Sequence, residues 1–145
     1  MIQHFTIEEL LPHRHPFIMV DKLISCSGYL ATTEMTIKEN NLFCSRGYFS
    51  EAGLLENMAQ TCAARLGYKS LINKMSVKVG IIGAVKNFCV YFCPEPGDRL
   101  ITNIEIEHEV FNAIILHSEV HCNGKTAATC HMKLFLTDIE SRDNE

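Results

Sequence analysis

One stretch of the sequence has the periodicity of a helix, whereas most segments around it have the periodicity of strands. Between residues 51 and 67, apolar side chains recur at spacings of three and four, the pattern of a helix with a buried face. Ser50 is suited to the N-cap, and Gly67 to the position after the last helical turn. We therefore predict a single long helix over about residues 51–67.

Segments rich in β-branched and aromatic residues lie on both sides of this helix. Two strands are predicted within residues 17–37, and the nearly apolar residues 77–92 follow the helix. Residues 99–110 alternate in polarity, and Asn123-Gly124 predicts a hairpin between the last two strands. Alternation indicates an antiparallel sheet with one covered face, and wrapping that sheet around the helix buries both. The predicted class is α+β, with an antiparallel sheet wrapped around one long central helix.

Length and composition set the scale of the domain. With 145 residues, 47% of them hydrophobic and 21% charged, the chain can bury a sizeable core. We expect a single domain over residues 1–145, with a core of about 8–137 and a polar tail at 141–145. The net charge of −4 and the absence of a Lys/Arg cluster argue against a nucleic-acid partner.

The absence of targeting signals and the use of cysteine predict the cellular compartment of the chain. No apolar run approaches the ~18 residues of a membrane span, and the N-terminal residues lack the pattern of a signal peptide. Seven cysteines, an odd number without a C-x-x-C pair, favour free thiols in the reducing cytoplasm. The histidines and cysteines have no recognisable metal-ligand spacing, so we expect no metal.

Three segments carry motifs: "LLPHRHPFIMVDKL" (10–23), "LLENMAQ" (54–60) and "VKNFCVYFCPEPGDRL" (85–100). Their order and character resemble the β-hydroxyacyl-acyl-carrier-protein dehydratases of type II fatty-acid synthesis, over about residues 8–136. The resemblance implies a hotdog fold that forms a homodimer or larger homo-oligomer, or a heterodimer with a second hotdog subunit. It implies removal of water from a 3-hydroxyacyl thioester to give the trans-2-enoyl form. The acyl chain is then carried on the phosphopantetheine of acyl carrier protein or CoA, and no other cofactor is needed.

The resemblance also implies site residues. Glu56 matches the helix glutamate that handles the leaving hydroxyl, and Gly53 matches the residue whose N–H holds the thioester oxygen. Orphan N–H groups and the helix dipole suit that second role, because both favour developing negative charge. The other residues expected to bind substrate are Gly47, Phe49 and Gln60.

The usual loop histidine of the family is missing. The segment "RGYFSEAG" is shorter than the family's loop, with Tyr48 in the histidine's place, and it resembles dehydratase-like proteins of aryl polyene clusters. A tyrosine hydroxyl is a better donor than base at neutral pH. The second catalytic group is therefore Tyr48 or a histidine of "PHRHP", of which His13 is the candidate.

Three functions fit these patterns. The favoured one is dehydration of a 3-hydroxyacyl-acyl-carrier-protein, with Glu56 as the acid/base group. The missing histidine leaves open a non-catalytic hotdog subunit that binds acyl carrier protein or completes a partner's site. Thioester hydrolysis is the third, because hotdog thioesterases also work with a single carboxylate.

Overall fold

The computed structural model describes residues 2–76 and 78–138. Within these residues the elements are α1 (Ile7–Leu10), β1 (Lys22–Ser27), β2 (Leu30–Thr36), β3 (Cys44–Ser45), β4 (Tyr48–Phe49), α2 (Glu51–Ile72), β5 (Lys78–Val90), β6 (Arg99–Val110), β7 (Ala113–Cys122) and β8 (Lys125–Asp138). Six strands form an antiparallel sheet in the order β1-β2-β6-β7-β8-β5, and β3 pairs with β4 in a small hairpin. The sheet packs around α2, which confirms the predicted hotdog arrangement. The predicted polar tail at 141–145 lies outside the described residues.

Helix α2 occupies the concave side of the sheet. Its first turn is capped by Ser50, whose Oγ accepts a hydrogen bond from the Gly53 N–H at 3.2 Å. Leu54, Met58 and Cys62 are fully buried between helix and sheet. None of the described helices is long and apolar enough to cross a membrane.

The prediction that the helix ends at Gly67 is wrong. Helix α2 continues to Ile72 and is capped by Asn73. A Cβ added to Gly67 would lie 2.0 Å from the carbonyl oxygen of Leu10, at the end of α1. Gly67 is therefore a glycine because α1 approaches the backbone of α2, not because the helix stops there.

The second half of the sheet follows the predicted alternation with one exception. Asn123 and Gly124 have φ of 54° and 74°, as the two-residue hairpin between β7 and β8 requires. On β6 the alternation in the sequence places Leu100, Ile106, His108 and Val110 on one inward face. Leu100 and Ile106 are buried there, but His108 and Val110 are exposed. The register shifts between Ile106 and His108, and such a bulge turns the following side chains to the other face.

All seven cysteines are free thiols. Burial raises the pKa of Cys62 to about 12, and burial likewise raises the pKa of Cys130 to about 12. Each folded-state pKa lies above the ordinary value of 9.0 that an unfolded thiol has. The stability that these protonated thiols contribute is thus complete below pH 9 and is lost as pH rises towards 12.

We expect the free energy of unfolding to fall steadily above pH 9 because only the unfolded chain releases these protons there. Urea unfolding in reducing buffer from pH 7 to pH 10.5 measures the fall. Cys62→Ala should flatten the pH dependence, whereas Cys89→Ala, at an exposed thiol, should leave it unchanged. Equal slopes in the two variants would contradict the prediction.

Candidate active site

A short segment before β1, residues 17–19, is held to α2 by side chains; we call it the strap. The Gln60 amide oxygen accepts a hydrogen bond from the Met19 N–H at 2.6 Å, and its Nε2 donates to the Phe17 carbonyl at 2.9 Å. The Asn57 Nδ2 donates to the Met19 carbonyl at 2.8 Å. Helix side chains therefore satisfy both backbone groups of Met19, which a neighbouring strand would otherwise do.

Glu56 lies on α2 beside this strap. Its Oε2 accepts a hydrogen bond from the Gln60 Nε2 at 2.8 Å, one helical turn further along. The side chain is 31% exposed, so one side faces the protein and the other is open. Gln60 thus fixes the orientation of the carboxylate and leaves it accessible from outside.

His13 completes a pair with Glu56 within the same chain. Its Nε2 lies 3.8 Å from the Glu56 Oε2, and its side chain is 29% exposed. Within residues 2–76 and 78–138, the buried Nδ1 has no hydrogen-bond partner, so Nε2 is the ring atom placed for proton transfer. The Arg14 guanidinium holds the local turn, because its Nη1 donates to the carbonyls of Leu11 and His13 at 2.9 and 2.6 Å.

The separation of this pair decides what it can do. At 3.8 Å the two atoms are further apart than the 2.7–3.2 Å of a hydrogen bond. A proton can pass between them after a small movement or through one bridging atom, and open catalytic pairs often tighten only around substrate. The arrangement suits general acid–base chemistry on a substrate that enters beside both groups.

Two residues expected to bind substrate are buried instead. Phe49 is fully buried, and its ring fills the space beside Gly53, where a Cβ would lie 2.6 Å from Cζ. Gln60 is 1% exposed and its amide is occupied by the strap and by Glu56. In this arrangement Phe49 packs the core and Gln60 orients the site, and neither presents a surface to a ligand.

The remaining predicted residues lie at the start of α2. Gly47, at φ 83°, forms the turn of the β3–β4 hairpin. The neighbouring Tyr48 is 49% exposed, and no hydrogen bond joins it to Glu56 among the described residues. The Gly53 N–H is taken by the Ser50 Oγ, so a thioester oxygen would have to replace that hydroxyl.

Sequence reasoning missed the polar residues on the buried side of α2. Asn57, Thr61 and Arg65 are fully buried at spacings of four, where apolar residues are the rule. Thr61 shares a hydrogen bond of 2.8 Å with Thr33, and Arg65 donates to the Gly28 carbonyl at 3.1 Å. Their regular spacing inside an apolar helix was the signal that could have found them.

Three histidines on β7 and β8 lie beside carboxylates, and the rings of two of them, His117 and His131, also meet edge to face with their centroids 4.8 Å apart. His117 and His121 lie 3.1 and 3.4 Å from opposite oxygens of Glu119, and His131 lies 3.7 Å from Glu107. In the part of the chain that the structure describes, no group of three or more His, Cys, Asp or Glu is arranged to hold a metal ion.

Comparison with known proteins adds independent information. The family described as ApeP-like, ApeP dehydratase, matches residues 5–143. A 3-hydroxyacyl-[acyl-carrier-protein] dehydratase FabZ from Campylobacter lari is 28% identical over 150 residues, covering 95% of this chain and 99% of that protein. The FabZ of Campylobacter jejuni subsp. jejuni serotype O:23/36 is 29% identical over 154 residues, with the same coverage.

Solved structures share the fold at lower identity. A chain of the dehydratase heterocomplex ApeI:P from Xenorhabdus doucetiae superposes with a TM-score of 0.87 at 14% identity, covering 98% of this chain and 97% of that one. A hypothetical thioesterase with coenzyme A from Streptococcus pneumoniae gives 0.64 at 10% identity, covering 81% and 85%. At these identities the likeness concerns the fold.

Proposed function

We propose a function from the premise that this chain belongs to the ApeP-like dehydratase family. The chain removes water from a 3-hydroxyacyl thioester to give the trans-2-enoyl thioester, and its acyl group is carried by acyl carrier protein. The FabZ relatives, named for that carrier, support this substrate class. The observation that carries the proposal is the convergence of His13 and Glu56 in one chain that lacks the usual loop histidine.

The reaction needs one proton removed and one delivered. The His13 Nε2 takes the proton from the carbon next to the thioester carbonyl, and that C–H electron pair forms the new double bond. Glu56, in its protonated form, gives its proton to the 3-hydroxyl, which leaves as water. The family resemblance supports the role of Glu56, because the family's glutamate serves the hydroxyl. The role of His13 rests on its distance from Glu56, because the family's own proton-abstracting histidine lies in the loop that lacks it here.

The two groups then return to their starting states. After turnover the excess proton is on His13 and Glu56 is ionised, so a single transfer from Nε2 to Oε2 resets the pair. The two atoms are 3.8 Å apart, so a small movement of either side chain or one bridging atom completes this transfer. Gln60 supports the reset because its Nε2 keeps the carboxylate facing His13.

Turnover by the purified protein tests the function. The protein should hydrate a trans-2-enoyl thioester in the reverse direction, with loss of the conjugated absorbance and without release of free thiol. Release of thiol instead would favour the thioesterase alternative. The proposal would be rejected if the protein is inactive both alone and together with a partner subunit.

A specific observation favours a second hotdog subunit as partner. Among the described residues, β5 has 13 residues, pairs with β8 alone and lies at the edge of the sheet. Such an edge offers unpaired backbone groups, and another strand can cover it.

The name of the ApeI:P complex describes two different dehydratase chains together. We propose that this chain pairs through β5, and light scattering alone and with a co-expressed hotdog subunit distinguishes a homodimer from a heterodimer.

The loop tyrosine has a smaller expected role than the pair. Tyr48→Phe should lower turnover by no more than about tenfold, because the half-exposed hydroxyl has no bond to Glu56 in the described residues. Steady-state kinetics beside His13→Gln make the comparison. A loss of 100-fold or more would place Tyr48 in the chemistry, as its position in the loop predicted.

A further inference from the structure

We infer that Asn57 is a positioning residue for the His13–Glu56 pair, acting through the strap. The inference rests on the proposed dehydration. Asn57 follows Glu56 in sequence, but its side chain is fully buried whereas that of Glu56 is partly exposed. It therefore touches no reacting atom, and any effect on catalysis passes through the residues that it binds.

One amide joins three parts of the fold. The Asn57 Nδ2 donates to the Met19 carbonyl at 2.8 Å, and its Oδ1 accepts from the Thr102 hydroxyl of β6 at 2.5 Å. The helix thereby ties the strap to the sheet through a single side chain. The carboxamide supplies, on one planar head, the donor that the Met19 carbonyl uses and the acceptor that the Thr102 hydroxyl uses.

The strap is connected to the Glu56 carboxylate through Gln60. Met19 is also held through its N–H by Gln60, and the same Gln60 side chain donates to the Glu56 Oε2. Without the Asn57 donor, the buried Met19 carbonyl is left unpaired, which is unfavourable enough to move the strap towards water. Gln60 then loses a fixed partner, and the carboxylate that it orients loses its support.

The strap also sets the position of His13. Only three residues separate His13 from Phe17, and the Phe17 carbonyl is the second strap group that Gln60 binds. A displaced strap therefore changes the distance from Nε2 to Oε2 at the same time as it frees the carboxylate. A misplacement of about 1 Å at a catalytic group can cost up to about 100-fold in rate.

Asn57→Asp tests this connection because it removes one bond and keeps the other. Its ionised carboxylate still accepts from Thr102 but has no hydrogen to donate to the Met19 carbonyl, so the variant is measured at a pH where this aspartate is ionised. We expect kcat to fall by about 10–100-fold with KM within about threefold. The Met19 amide should exchange with solvent at least about tenfold faster by NMR, while the β6 amides stay protected.

Thr61→Val is the matched control. Thr61 lies one turn further along α2 and is equally buried. Its hydroxyl bonds to Thr33 and to the backbone carbonyl of Asn57, but not to the strap or to the Asn57 side chain. It should keep both the wild-type kcat and the slow exchange of the Met19 amide. Asn57→Ala, which removes both bonds without burying a charge, serves if Asn57→Asp fails to fold, and it should show the same two effects.

The outcomes separate this inference from the proposed function. A wild-type protein that is inactive both alone and with a co-expressed hotdog subunit would reject the dehydration itself. An active wild type, with Asn57 variants of unchanged kcat, would overturn the positioning role, even if the Met19 amide exchanged faster. A fall in kcat with the Met19 amide still protected would also overturn it, because the strap would not be the link.

Discussion

Replacing Glu56 by glutamine is expected to abolish dehydration, with kcat lower by about 10²–10⁴-fold, the range for a positioned acid/base group. Glutamine keeps the size of the side chain and can still bond to Gln60, so the helix and the strap should be undisturbed. It cannot give or take the proton that the 3-hydroxyl needs to leave. Hydration of a trans-2-enoyl thioester by the purified variant measures the loss.

His13→Gln provides the second half of the same prediction. If the two residues act as one unit, the double variant should be no slower than the slower single variant, because losses within a unit do not add. His15→Gln is the matched control, since this neighbour is exposed and lies 3.4 Å from Glu8 rather than near Glu56. A fully active Glu56→Gln protein would remove the pair from the mechanism.

Gly67→Ala is expected to destabilise the fold by about 3 kcal/mol, the upper end of the usual range for overpacking. In an exposed helix the same change would stabilise by about 1 kcal/mol through helix propensity. Here the new methyl would lie 2.0 Å from the Leu10 carbonyl oxygen, and a backbone atom cannot rotate away as a side chain can. α1 must therefore separate from α2.

Chemical unfolding of the variant measures this loss. Gly80→Ala on β5 is the control, because its Cβ would meet a Leu134 side-chain carbon at 3.6 Å, an ordinary contact. A Gly67→Ala protein as stable as wild type would show that α1 can shift at little cost.

The sequence predicted the fold because its signals were local and consistent with one another. The apolar stripe of α2, the alternation of β6 and the Asn123-Gly124 turn each indicate one structure, and one sheet around one helix buries them all. Gly67 misled because a glycine near the end of an apolar stripe has two explanations. Local sequence cannot tell a helix stop from a close tertiary contact.

The candidate site was harder to predict for the same reason. Glu56 was found through its motif, but His13 lies 43 positions earlier, and nothing local in the sequence shows that its Nε2 comes within 3.8 Å of Glu56. Phe49 and Gln60 were assigned to the substrate because they belong to motifs near the site. Both side chains are buried, which depends on the three-dimensional packing, and their contact with substrate stays a prediction.

When the acid and the base of an active site lie on two different subunits, neither subunit can react without the other. Here both groups lie on one chain. His13 and Glu56 sit on one polypeptide, held by its own helix and strap, while the open edge at β5 lies on a separate strand. The proposed partner surface and the proposed catalytic pair therefore lie on different elements of the fold and can change independently in evolution. If the chain pairs through β5 and reacts through His13 and Glu56 as proposed, substitutions along β5 change the partner subunit and leave the pair intact.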